Sequence, residues 1–112
     1  MSERERLLGE LKSECQRGDT TRILTTLEAL LAWLASADHN TDENCRAVDR
    51  FVLLEVLDEV NAAIPSGLRE LLWDIGCQLH DTHTSPALAR NFDSTPEQLL
   101  ARTRALRASP PG

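Results

Sequence analysis

The chain has 112 residues, 41% of them apolar and only 4% aromatic, with no tyrosine and three cysteines. That length suits one domain, burying roughly two thirds of its unfolded surface, with aliphatic side chains supplying most of the core. The net charge of −6 argues against nucleic acid or an anionic membrane as a partner, because both select for clustered Lys and Arg.

The three cysteines, Cys15, Cys45 and Cys77, are widely spaced and contain no CxxC, which points away from a disulfide framework and toward a reducing cytosol. The opening Met1-Ser-Glu-Arg-Glu-Arg lacks the apolar run of a signal peptide, and no stretch approaches a bilayer span. A cytoplasmic location without membrane contact is expected. Charge is unevenly spread. Residues 1–26 balance five acids against five bases, whereas residues 27–88 set eleven acids against Arg46, Arg50 and Arg69. Residues 89–112 carry two acids and four arginines. An acidic middle permits a cation or a basic protein as partner.

The pattern along the chain is helical. A first helix is expected from about Ser2 to Gln16, stopping near Gly18. The second starts at an Asp19-Thr20-Thr21 cap signal and carries Ile23, Leu27, Leu30, Leu31 and Leu34 at helical spacing. "SADHNTDEN" (36–44) is a polar connector in which Thr41 or Asp42 can cap a third helix, which is expected to run to Ile64 and end at Pro65. "PSGLRE" opens a fourth, with Leu68, Leu71, Leu72, Ile75 and Leu79 in one stripe. Ser85-Pro86 and Thr95-Pro96 are cap-then-proline starts, the second followed by Glu97-Gln98 in the manner of a capping box. They predict a short helix near 86–91 and a last one from Pro96 to about Leu106. No run of strict alternation marks a strand. The expectation is an all-α, compact bundle of four to five helices, one domain over 1–106, with 107–112 a disordered tail.

Three constellations could carry function. "CQLHDTHTSP" (77–86) gathers a thiol, two imidazoles and a carboxylate. Cys77 and His80 could reach one ion from adjacent turns, but C-x2-H-x2-H matches no compact zinc signature, and a tetrahedral site would need ligands from a second chain. Neither metal nor cofactor is expected. A helix end that favours His80 and His83 electrostatically explains the stretch as well. Trp73, Cys77 and His80 lie opposite the core stripe of the fourth helix, so that helix has two faces that want a neighbour.

On the third helix, Val52, Leu53, Val56, Leu57, Val60, Ala63 and Ile64 form a broad apolar face. Opposite lie Glu55, Asp58 and Glu59, with Phe51 one turn ahead. An aromatic beside three carboxylates suits capture of a cationic partner, with Phe51 for area and the acids for steering. The same pattern also suits a solvated acidic face with Phe51 tucked under another helix.

The third constellation joins these two helices. "LLEVLDEV" followed by "LRELLWDIG" resembles the MazG-like all-α nucleotide pyrophosphatases, which hold Mg²⁺ against a triphosphate with an E-x-x-E pair and an E-x-x-D pair on successive helices. The resemblance implies roles for Glu55, Asp58 and Glu59 with Glu70 and Asp74. The pattern departs from that family in its second residue, Asp58, and in the i,i+4 spacing of Glu70 and Asp74. No nucleophile paired with a base and no glycine-rich phosphate loop is present. The expected function is therefore binding rather than catalysis. The chain reads as a small acidic adaptor or inhibitor that covers a basic surface of a partner protein, with Phe51, Glu55, Asp58, Glu59, Trp73, Cys77 and His80 as its contacts. Toxin-neutralising immunity proteins share this composition, an analogy and not a family match. A homodimer and the pyrophosphatase activity are the alternatives left open.

Overall fold

Side-chain caps set most of the element boundaries. The computed structural model describes residues 2–84 and 95–108, with side chains for 2–79 and 95–108. Helix α1 (Glu3–Arg17) begins where the Ser2 hydroxyl accepts the Glu5 N–H at 3.2 Å. It ends at Gly18, whose φ of 71° closes the last turn in the left-handed region that glycine alone enters without cost. Asp19 then accepts the Arg22 N–H at 3.2 Å and starts α2 (Thr20–Ala35). Thr41, not Asp42, caps α3 (residues 42–59) by accepting the Asn44 N–H at 3.2 Å. Helix α4 spans Ser66–Thr84, and α5 spans Pro96–Ala108. At α5 the capping box is complete: Thr95 Oγ1 accepts the Gln98 N–H at 3.2 Å, and Gln98 Oε1 accepts the Thr95 N–H at 3.3 Å.

All five described helices join one apolar core, an all-α bundle without strands among the described residues. Helix α2 packs against α1 and α5, while α4 packs along α3 and touches α5. Ile23, Leu27, Leu30, Leu31 and Leu34 of α2 are fully buried, each contributing about 1.5–3 kcal/mol by leaving water. The α4 stripe of Leu68, Leu71, Leu72, Ile75 and Leu79 is fully buried as well. One polar pair ties α1 to α2 inside this core: the Thr26 hydroxyl donates to the buried Glu14 carboxylate.

Helix α3 differs from expectation in two ways. It is one run with three parts, Asp42–Phe51, a π-helical Val52–Val56 and Leu57–Glu59. The Leu57 N–H donates to the Val52 carbonyl five residues back. An α-helix lets an i,i+4 row drift about 40° per step, and the wider π turn takes up part of that drift. Val48, Val52 and Val56 are thereby all fully buried, while Leu53 and Leu57 are only half-buried. The run also stops at Glu59, not Ile64. Val60 is extended (ψ 133°), and the Asn61 side chain accepts the Ala63 N–H at 2.8 Å in a turn that competes with the helix. The Asn61 N–H donates to the Cys15 carbonyl at 2.9 Å, docking this loop on the end of α1. Ala63 is exposed and leaves the apolar face.

The last helix reaches Ala108, two residues past the expected end. The helix expected near 86–91 and the tail 109–112 lie outside the described residues. No helix among the described residues is long and apolar enough to cross a membrane.

Candidate functional site

The large apolar side chains exposed on the described surface are Leu54 and Trp73, 64% and 56% accessible. A tryptophan carries a large apolar payload, and leaving most of it in water is a cost that folding alone does not explain. The α3–α4 contact accounts for its position. Gly76 of α4 stands against Leu53 of α3, so close that a β-carbon on residue 76 would lie 2.7 Å from Leu53 Cγ. One turn earlier on α4 and one turn later on α3 the helices flank an open groove of about 530 Å³ lined by Leu57, Asp58, Arg69, Glu70, Trp73 and Asp74.

The groove's polar side chains divide into committed and uncommitted groups. The Arg69 guanidinium donates to the Asn61 carbonyl at 3.2 Å, so it braces the loop that ends α3. The Asp74 carboxylate pairs with Arg102 of α5 at 2.9 Å. Asp58 and Glu70 are exposed and form no ion pair among the described residues. The groove therefore has an apolar floor of Leu57 and Trp73 and a free negative rim of two carboxylates.

The structure separates the side chains that the sequence grouped around Phe51. Glu55 and Glu59 turn toward α1, where Lys12 Nζ lies 3.5 and 3.8 Å from them and Gln16 donates to Glu59. Asp58 turns the other way, into the Trp73 groove. Phe51 is half-buried against the core. It lines a second groove of about 780 Å³ between α1 and α3, together with Arg4, Arg46, Arg50, Leu54 and Glu55. Cys77 is half-buried one turn beyond Trp73, and the side chains of His80 and His83 lie outside the described residues. Leu54 was not singled out by pattern. The signal was there in Val52-Leu53-Leu54, since three consecutive apolar residues cannot all face one side of a helix.

The same division bears on the pyrophosphatase-like set. Glu55 and Glu59 are drawn to Lys12 of α1, while Asp58, Glu70 and Asp74 line the Trp73 groove. Among the described residues no three His, Cys, Asp or Glu side chains are close enough to hold a metal ion. The buried thiols are poor nucleophiles. Burial, then the neighbouring Glu14, pushes Cys15 up to about 12. Burial, followed by Asp42, Asp49 and Glu97, pushes Cys45 up to about 11. Both stay protonated near neutral pH and pack as small apolar groups. No disulfide links the described cysteines.

No protein-family model, no curated protein and no solved structure matches this chain.

Proposed function

We propose that the chain is a small protein-binding module, an adaptor or inhibitor, that grips a basic segment of a partner protein in the α3–α4 groove. The observation that carries this is Trp73, 56% exposed beside Leu57 in a groove also lined by the uncommitted Asp58 and Glu70. Exposed tryptophan in a groove is the side chain most often found to anchor an interface. The acidic rim selects a partner that flanks an apolar anchor with Lys or Arg, and it speeds encounter with such a partner at low salt. The location proposed is a reducing cytosol, supported by three cysteines that form no disulfide. Binding is preferred over Mg²⁺-dependent nucleotide hydrolysis because the five candidate carboxylates are split, Glu55 and Glu59 toward Lys12 and the other three toward the Trp73 groove, with Lys12 and Arg102 already neutralising part of the set.

The test is selection from a random peptide library displayed on phage. Sequences that combine one bulky apolar residue with two or more Arg or Lys should be enriched, and enrichment should fade above about 0.5 M salt as screening shortens the reach of the acids. If enriched sequences lack basic residues, or are recovered equally well with Trp73→Ala, the groove is not the binding site. Pyrophosphate release from nucleoside triphosphates with Mg²⁺, lost on Asp58→Asn, would instead favour the catalytic alternative.

A further inference from the structure

The exposed side of α3 carries a second pattern, which overlaps the Trp73 groove at Leu57 and Asp58. Arg46, Arg50, Leu54 and Asp58 recur at intervals of four, and all four are exposed. In an unbroken α-helix such a row would wind around the axis. The π turn at Val52–Val56 offsets part of the drift, so the four stay on the exposed side of the helix, with Asp58 leaning toward the Trp73 groove. One pair of charges is symmetric about Leu54, whereas Arg46 has no counterpart on the helix, which ends at Glu59. Arg50 lies four residues before Leu54 and Asp58 four residues after. Arg46, Arg50 and Asp58 form no ion pair among the described residues, and Leu54 is 64% exposed between them. Phe51 and Leu57, each half-buried, flank Leu54 at three residues on either side.

A stripe with opposite charges at equal distances from an apolar centre is complementary to itself when reversed. We infer that α3 is a homodimerisation surface on which two copies of this chain pack antiparallel about a two-fold axis through Leu54. In that arrangement Leu54 meets Leu54 of the second copy, Phe51 lies opposite Leu57, and Arg50 faces Asp58 twice, once in each direction. This is the isologous contact that most homodimers use, in which a residue i meets j and j meets i. A partner of uniform charge would satisfy only one end of the stripe and leave the other opposed, so a second copy fits better than an acidic or a basic protein. One helix pair is a small interface, so the dimer is expected to form reversibly as concentration rises.

Sedimentation equilibrium over a concentration series to about 500 µM tests the pairing on the full chain. Wild type should shift from one chain mass to two, and Leu54→Asp should remain monomeric while keeping its helical circular dichroism. Arg50→Glu and Asp58→Arg should each weaken self-association at least tenfold, because each sets like charges against each other twice. An equimolar mixture of these two variants should dimerise again, since every facing pair is then of opposite sign. Wild type that stays monomeric throughout, a dimer indifferent to Leu54→Asp, or a mixture no better than its components would each overturn the inference. Arg50 and Leu54 lie outside the Trp73 groove, so Arg50→Glu and Leu54→Asp probe the dimer without altering the proposed partner site.

Discussion

Replacing Gly76 by alanine tests the contact that shapes the groove. In an exposed helix the change from glycine to alanine stabilises by about 1 kcal/mol, because alanine loses less backbone freedom. Here the added methyl would lie 2.7 Å from Leu53 Cγ and 2.8 Å from Cδ2, well inside contact distance. Leu53 must then change rotamer or α3 must move off α4, an overpacking that costs about 1–3 kcal/mol. The net expectation is a destabilisation of about 1 kcal/mol. In a Leu53→Ala background the obstructing atoms are gone, and Gly76→Ala should stabilise by about 1 kcal/mol. A double-mutant cycle by urea denaturation reads this as a coupling of about 1–3 kcal/mol between the two positions. With a slope near 1–2 kcal/mol per molar, each 1 kcal/mol moves the midpoint by roughly 0.5–1 M, which is easily resolved. Gly76→Ala that stabilises equally in both backgrounds would refute the close approach, and with it the reason that Trp73 stands open beside Leu57.

Thr26→Val keeps the side-chain shape but strands the buried Glu14 carboxylate without its hydroxyl donor. A loss of about 1.5–3 kcal/mol in thermal unfolding is expected, largely recovered by Thr26→Ser; no loss would mean the pair contributes nothing. Native protein at pH 8 should react with Ellman's reagent first at Cys77, with Cys15 and Cys45 protected until unfolding because their thiols are pushed up to about 12 and 11. Prompt labelling of either would contradict their burial. Glu28 is held below the usual glutamate range by the hydrogen bond from Arg107, with Arg104 adding a smaller share. Its folded value is thus below its unfolded one, so its stabilisation is present above the unfolded value and fades as pH falls through the folded value. The difference in melting temperature between wild type and Glu28→Gln should accordingly be present at pH 7 and vanish near pH 2, and a gap that persists at pH 2 would point to packing rather than charge.

Elements whose ends are written in side chains were legible from sequence. Gly18, Asp19, Thr41 and the Thr95–Gln98 box each act within four residues of themselves, and the stripes of α2 and α4 follow directly from helical spacing. Two features of α3 were not. The π turn depends on which of several adjacent aliphatic residues the rest of the core accepts, and Val48, Val52 and Val56 win that competition only once the other helices are in place. The early end at Glu59 comes from Asn61, whose turn outranks the more conspicuous Pro65 because it also binds the end of α1. The candidate site was legible as a list but not as a geometry. Trp73 stood out as an aromatic beyond a sufficient core. The parting of Asp58 from Glu55 and Glu59 required knowing that Lys12, 43 and 47 residues away in sequence, lies beside the latter two.

Isothermal titration of a library-selected basic peptide into wild type and Trp73→Ala addresses the central claim, that Trp73 anchors a partner. The account predicts at least a 30-fold loss of affinity for Trp73→Ala, about 2 kcal/mol, with an unfolding transition close to that of wild type. Affinity within twofold of wild type in a folded Trp73→Ala protein would contradict it.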